Sequence, residues 1–476
     1  MSKRGPVVAG LMLCMALAAM DQTIVATAVP AIVSDLGSFS LFPWVIAGYM
    51  LAQAVCTPVA GRLADMYGRK PMLLIGTGVF LVGALLGGLS TSMPMLILAR
   101  IVQGLGAGAL QPIIQVVAAD LYPLAERGRI TAILSTVWGV SALAGPALGG
   151  ILSEYASWRW ILFLNLPVGG AALLVLTLRL REPAQKRAEH RLDVLGMVLL
   201  ILGVGSIMLG LQLMAYPLIG AGVALLVAFL FWERRAAEPV IPPWVWRDRV
   251  LLGSFAGSAV VGMTFVGPTV YLPTFVQGAI GAGAVAAGFA LAAQSLGWPL
   301  AAGLSSLLYM RIGFRNTGLA GIALMIVSAL MFLQADGSSS VLYIGTCSFV
   351  GGFGLGLLNV STLVAGQSVV GWDRRGLATG TVVFSRIAGS AVGTAIFAAV
   401  ANSTLADRLT GPGVPPGTPA SIDEVVEALQ GGTGQEFVRQ ALTDATHNVF
   451  LTMIAISLTG LILIFIMPHR FKPADS

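Results

Sequence analysis

Long apolar windows alternate with short polar stretches along the whole chain. Windows of about 20 residues, enough for a helix to cross a bilayer, fall near 7–29, 44–63, 73–91, 95–118, 131–153, 160–179, 194–213 and 216–232. Others follow near 250–272, 284–309, 316–334, 341–367, 377–401 and 446–467. The pattern predicts an all-α polytopic membrane protein with fourteen transmembrane helices, an even number that puts both termini on one side. The opening Met1-Ser2-Lys3-Arg4, with Ala26-Thr27-Ala28 after an apolar run, has the outline of a signal peptide. Asp21 interrupts that run and the stretch reaches spanning length, so it reads as a retained first helix.

Composition agrees with this reading. Hydrophobic residues make up 57% of the 476 and charged residues 10%, which excludes a soluble globular exterior. Cys14, Cys56 and Cys347 all lie in apolar spans, so no disulfide framework is indicated. The net charge of +6 does not point to nucleic acid, because the basic residues are scattered over short loops. With both termini placed in the cytoplasm, 22 Lys and Arg fall on inner loops and three, Arg159, Arg408 and Arg439, on outer ones. That bias selects the orientation by the positive-inside rule. The expected location is a bacterial cell (inner) membrane.

The chain also repeats itself. Gln103 to Gln111, a glycine-rich run, matches Gly351 to Asn359, and Gly145 to Gly149 matches Gly389 to Gly393. The charged stretch Gly61 to Lys70 has a worn echo in Ser306 to Arg315. Offsets stay between 244 and 248 residues, which implies parallel repeats of one six-helix unit. The expected organisation is a six-helix bundle over 1–182, a linker with two additional helices over 183–249, and a second six-helix bundle over 250–476. An extracytoplasmic segment at about 402–445, rich in proline and with a capping box at Ser421-Ile422-Asp423-Glu424, is expected to hold one or two short amphipathic helices.

Gly61-Arg62-Leu63-Ala64-Asp65-Met66-Tyr67-Gly68-Arg69-Lys70 resembles the major facilitator superfamily signature G-x-L-A-D-R-x-G-R-K, with Met66 where Arg is usual. Asp21-Gln22-Thr23-Ile24-Val25 resembles the first-helix motif of the family's fourteen-helix drug:proton antiporters, with Ala26 in place of Asn. Arg100-Ile101-Val102-Gln103-Gly104 is similar to the fourth-helix motif R-x-x-Q-G, and Gly145-Pro146-Ala147-Leu148-Gly149-Gly150 to the fifth-helix antiporter motif G-P-x-x-G-G. Trp158-Arg159-Trp160 with Asn165-Leu166-Pro167 resembles the start of helix six and is expected to be an interfacial anchor. The resemblance covers essentially the whole chain. It implies a major facilitator fold of two six-helix bundles plus two extra helices.

Asp21, Arg100 and Arg386 are ionisable groups within spans, where each costs about 2.5–3.5 kcal/mol on insertion scales. Desolvation disfavours a charged carboxyl and a neighbouring guanidinium favours it. Asp21 and Arg100 could therefore meet across helices one and four and form a proton-coupling pair; a static structural ion pair is the alternative. The resemblance makes Gly61, Asp65, Gly68, Arg69 and Lys70 an inner gate, with Asp65 facing the start of the thirteenth span near Arg374 and Arg375; a loop-ordering salt bridge is the alternative. Gly145, Pro146, Gly149 and Gly150 mark the antiporter motif, where glycine permits close packing and proline a kink. Candidate substrate contacts are Gln22, Gln111, Gln115, Phe265, Tyr271, Asn359 and Arg386, and any of them could serve packing instead.

The expected function is proton-coupled export of lipophilic or cationic drugs and related amphipathic compounds by alternating access. A dedicated exporter of one antibiotic, metabolite or lipid uses the same scaffold. A membrane enzyme is disfavoured: the three histidines, His190, His447 and His469, lie at or outside membrane ends, and neither H-E-x-x-H nor a P-loop occurs. A non-transporting sensor would not need Asp21. No catalytic residue, metal or cofactor is expected, the proton gradient being the driving force. The expected partners are a small-molecule substrate, protons and the lipid bilayer, with no nucleic acid and no obligatory protein partner.

Overall fold

The computed structural model describes residues 4–37, 41–182, 193–213, 215–236, 238–410, 435–469, 471 and 474. Its helices are α1 (Gly5–Thr27), α2 (Val29–Leu36), α3 (Phe42–Tyr67), α4 (Arg69–Gly88), α5 (Met93–Leu121), α6 (Leu124–Tyr155), α7 (Arg159–Phe163) and α8 (Asn165–Arg179). They continue with α9 (Val194–Gln212), α10 (Tyr216–Glu233), α11 (Arg249–Gly278), α12 (Ala284–Phe332), α13 (Val341–Ser368), α14 (Arg375–Thr410) and α15 (Gln435–Ile464). No strand occurs among the described residues. In lipid every backbone polar group must be satisfied within the protein, and an open sheet cannot do this.

Proline begins many of these helices. α1, α2, α3, α5 and α10 each carry one in the first two positions, where the missing N–H costs nothing. Asp193 caps α9 by accepting from Gly196 N–H at 2.9 Å. Pro58, Pro112, Pro268, Pro273 and Pro299 lie inside helices and remove backbone donors there.

Twelve candidate membrane spans are found among the described residues. One, Val285–Phe332, runs 48 residues and is broken at Gly313, whose φ of 83° and ψ of 161° are not helical. α6 is not among the twelve, although the apolar pattern predicts a span over 131–153. Its first turns carry Glu126, Arg127 and Arg129, and its later turns are rich in Gly, Ala and Ser. Within the expected outer segment 402–445, α14 continues to Thr410 and α15 starts at Gln435. Both extensions are amphipathic rather than apolar, which hid them from a window tuned to spans. The capping box at Ser421 and the charged linker 183–192 lie outside the described residues.

The chain divides into two compact units. One comprises Met1–Leu252, Leu363–Phe384 and Phe471–Ser476; the other comprises Gly253–Thr362 and Ser385–Arg470. The first is built on Leu11, Leu17, Tyr49, Phe80, Leu110 and Leu134. The second is built on Phe275, Phe332, Phe397 and Phe450, with Phe332 and Phe450 stacked at 4.3 Å. Large apolar side chains remain exposed, among them Leu202 and Phe231 in the first unit and Leu300 and Leu307 in the second. Such surface suits hydrocarbon rather than water.

Each unit uses its glycine run in the same way. Gly104 and Gly108 of α5 abut the α3 backbone at Tyr49 and Gln53, while Gly106 abuts Gly76 and Phe80 of α4. In the other unit Gly352 and Gly356 of α13 abut α12 at Gln294 and Trp298, and Gly354 abuts Gly321 and Met325 beyond the break. Close backbone approach is how helices gain contact in lipid. The worn echo of the charged stretch also has a structural counterpart: Gly68, at φ 100° and ψ 152°, separates α3 from α4 much as Gly313 divides α12.

That backbone region is open essentially to glycine alone. Gly313→Ala is expected to cost about 1–3 kcal/mol, and an added Cβ would also lie 2.9 Å from the His469 carbonyl. Thermal unfolding in detergent should show the loss, and an unchanged melting temperature would refute it.

Candidate functional site

Asp21 is fully buried in the last third of α1. Arg100 of α5 donates through Nη1 to Asp21 Oδ2 at 2.5 Å and to Gln103 Oε1 at 2.7 Å. Gln103 is one turn further along α5, so the two side chains share a face. Its Nε2 donates to Asp21 Oδ1 at 2.8 Å. Asn165, at the start of α8, donates to the same Oδ1 at 3.2 Å. Tyr49 of α3 lies under the Arg100 guanidinium, 4.2 Å from its ring centre, and Arg100 Nε reaches the Val45 carbonyl at 3.4 Å. The carboxylate is thus ringed by donors from two other helices, and its guanidinium partner rests on a third.

The proximity of Asp21 and Arg100 follows the sequence reading. Gln103 and Asn165 were not singled out there. Gln103 was absorbed into a glycine motif, and Asn165 was expected at an interface but is buried at 1% exposure. The signal was available: Gln103 stands three residues after a mid-span arginine. Gly145 of α6 faces Met20, Thr23 and Ile24 of α1, with no free room for a Cβ, so this glycine sets the helix spacing beside Asp21. Gly149 is buried and Gly150 meets nothing within 4 Å; the Pro146 side chain lies outside the described residues.

A second charged cluster forms at the α3–α4 junction. Asp65 accepts from the backbone N–H groups of Gly376 at 2.8 Å and Leu377 at 2.7 Å, in the first turn of α14. A carboxylate there meets free N–H groups and the positive end of the helix dipole. Gly61, one turn earlier, touches the backbone of Gly376 and Gly380 with no space for a side chain. Arg69 lies 3.6 Å from Asp65, 3.0 Å from Asp120 and over the Trp372 ring, whose backbone carbonyl accepts from it. Arg375 pairs with Asp120 at 2.5 Å. Asp120, at the end of α5, was missed because it falls just beyond the apolar window 95–118 and outside the quoted motifs.

Glu182 caps α4 at Gly68 by accepting from Arg69 N–H at 2.7 Å and Lys70 N–H at 3.1 Å, and Lys70 Nζ donates to the Thr177 carbonyl at 2.7 Å. Arg374 is not at Asp65. Its half-exposed side chain pairs with Asp373 at 3.4 Å and sits over Trp244 at 5.1 Å, because it precedes α14 and points away from the helix axis. Trp244 belongs to a segment fastened by Glu233, which accepts from Val240 N–H at 3.1 Å and Ile241 N–H at 3.0 Å. Glu238 of that segment faces Arg62 at 3.7 Å.

The remaining candidates are dispersed. Gln22 donates to Gln53 at 3.0 Å, Gln111 is buried, and the Gln115 carbonyl accepts from Gln367 at 3.4 Å. In the other unit Arg386 donates to Asn359 at 3.2 Å, Phe265 meets Trp298 edge-on at 5.8 Å, and Tyr271 packs on the Phe275 cluster. Thr264, which falls opposite Asp21 when Met20 is aligned with Met263 and Pro30 with Pro273, donates back to the Val260 carbonyl at 2.6 Å and gives that unit no matching acid at this position. At the end of α1 beyond Asp21, Asp35 of α2 accepts from Trp158 Nε1 at 3.0 Å and Arg159 Nη1 at 2.5 Å, and Arg159 Nη2 donates to Ser90 O at 3.0 Å.

Residues 11–394 match the sequence model of the Major Facilitator Superfamily. The chain is 32% identical to the Multidrug resistance protein 3 of Bacillus subtilis, over 97% of this chain and 92% of that one. It is 33% identical to an uncharacterised MFS-type transporter of Mycobacterium tuberculosis, over 98% and 69% of the two chains. The fold is similar to the crystal structure of the human organic anion transporter MFSD10, with a TM-score of 0.65 and 16% identity over 98% of this chain and all of that one.

Two outcomes follow from the geometry. Arg100→Leu would leave the Asp21 carboxylate buried without its cation and should cost about 3–5 kcal/mol. Asp21→Asn with Arg100→Leu should recover most of it in a double-mutant cycle of thermal unfolding, and additive losses would contradict the pairing. The Arg159 guanidinium, with Trp158 assisting, holds the Asp35 carboxyl below its ordinary value of 3.8. A lowered folded-state value means the contribution is present above the unfolded value and lost as pH falls through the folded one. The melting-temperature gap between wild type and Asp35→Asn should therefore stay constant from about pH 8 to about pH 5 and close only below the ordinary carboxylate range.

Proposed function

The chain belongs to the Major Facilitator Superfamily, and on that footing we propose that it is a proton-coupled exporter of lipophilic or cationic amphipathic compounds. Family membership makes it a multi-pass membrane transporter of small molecules rather than an enzyme. The proposal adds the direction, the coupling ion and the substrate class. Likeness over nearly full length to a protein named for multidrug resistance supports export of drug-like compounds.

The observation that carries the coupling is the Asp21 carboxylate, buried within a helix and held by Arg100, Gln103 and Asn165. Such a group costs free energy in a bilayer, and intramembrane carboxyls commonly mark ion pathways. Protonation would remove its charge and weaken its hold on Arg100, a change that substrate entry or release can oppose. We take the chain to have fourteen spans, counting α12 as two at Gly313 and including α6, with both termini cytoplasmic by the loop charge bias. Two six-helix bundles then alternate access to the site, with the two additional helices between them.

In this scheme the Asp65 contact with the α14 N-terminus holds the cytoplasmic side shut, since moving α14 from α3 would strip the carboxylate of two N–H donors. Gln22, Gln111, Gln115, Phe265, Tyr271, Asn359 and Arg386 are proposed cavity contacts. No cofactor is invoked; the proton gradient supplies the energy.

Proton-gradient-driven uptake of a fluorescent cationic dye into inside-out proteoliposomes tests this, with wild type beside Asp21→Asn. Uptake by wild type that collapses in Asp21→Asn, while dye binding persists, is the expected result. Equal uptake by both would remove Asp21 from coupling. Absence of uptake by wild type would overturn the dye-like substrate class.

A further inference from the structure

Asp21 meets three donors and they are not equivalent. Arg100 has no acceptor atom and donates in every state. Gln103 carries an acceptor, but Oε1 already receives Arg100 Nη1 at 2.7 Å, so turning its amide would break that bond. Asn165 differs from both. Its Nδ2 makes the longest of the three bonds, 3.2 Å, and its Oδ1 is buried without a hydrogen-bond partner among the described residues. A buried acceptor left unmade is costly and calls for a reason.

We propose that Asn165 is a positioning residue that follows the charge of Asp21, donating to the carboxylate and turning its amide over to accept from the carboxylic acid. This rests on the proton-coupled reading above. A proton arriving from the aqueous phase bonds to Oδ1, and the hydroxyl so formed has one hydrogen to give while still accepting one. Gln103 Nε2 keeps its bond to that oxygen. The Asn165 N–H would then oppose an O–H, two donors face to face. A half-turn of the Asn165 amide places its idle Oδ1 against the O–H instead. Loss of the proton to the aqueous phase reverses the turn. No other bond need break, since no group among the described residues is hydrogen-bonded to the Asn165 oxygen.

The titratable and charged groups facing Asp21 are Arg100 of α5 and Tyr49 of α3. α6 presents Gly145 and α8 presents Asn165, neither of which carries charge. Among the described side chains bonded to the carboxyl, Asn165 is therefore the one that can reverse its polarity without giving up another hydrogen bond. Placing it at the first position of α8, with Pro167 two residues on, keeps it from being a routine helix-interior amide.

Infrared difference spectra between acid and base, recorded on the full chain in lipid with carbonyl-labelled asparagine, test the turn directly. The expected result is an asparagine carbonyl band that shifts with the same midpoint as the carboxylic acid band of Asp21. Both changes should be absent in Asp21→Asn, and the asparagine change absent in Asn165→Leu. Proton-driven transport should fall about tenfold in Asn165→Leu, the equivalent of one hydrogen bond. Asn165→Thr, whose hydroxyl can donate or accept by rotating, should retain most of the rate. A titrating Asp21 band with no asparagine change, or Asn165→Thr as slow as Asn165→Leu, would make Asn165 a fixed packing residue and overturn the proposal. If no Asp21 acid band appears at any pH while the chain stays folded, the proton-coupled reading itself fails, and the role of Asn165 with it.

Discussion

A carboxylate taken out of solvent must find its donors within the protein, and Asp21 draws them from helices far apart in sequence. Arg100 and Gln103 come from α5, Asn165 from α8, and the Arg100 guanidinium rests on Tyr49 of α3. Four helices of the first unit are thereby held to one geometry. The surrounding packing serves it: Gly145 lets α6 approach α1 beside the acid, and Gly104 and Gly108 let α5 lie flat against α3. Without those glycines the helices would stand too far apart for side chains of this length to meet.

The α3–α4 junction solves a different problem. Its charges lie at helix ends, where unpaired N–H groups offer bonds that a helix interior lacks. Glu182 satisfies the start of α4 and Asp65 the start of α14, while Arg69 and Arg375 share Asp120. The segment after α10 joins this network from the side, fastened by Glu233 and touching Arg62 and Arg374 through Glu238 and Trp244. Through that segment α10 is connected to the charged junction within the first unit.

Much of this was legible because lipid makes charge rare, and rare charges are informative. One acid and two arginines within spans made few pairings available, and the structure pairs Asp21 with Arg100. The superfamily signature led to Asp65 and Gly61. Arg374 was misplaced because loop charge alone does not say which of two adjacent arginines turns inward. Gln103 and Asn165 were overlooked because each was read as part of a motif, and the importance of a neutral amide depends on which helix it faces. The lengthened α14 and α15 were hidden for a related reason: their polar turns lie outside the apolar windows that define a span.

Asp65 binds main-chain N–H groups of Gly376 and Leu377 rather than a side chain. At Leu377 any residue but proline supplies the same donor. Gly376 is different, since an added Cβ there would lie 2.5 Å from Asp65 Oδ1 and press on the Gly61 backbone. The contact thus has two exacting positions, the carboxyl and the bare stretch of main chain it rests on. A lineage could exchange the side chain at 377 and keep the bond, whereas a single change at Asp65 or at Gly376 would remove it.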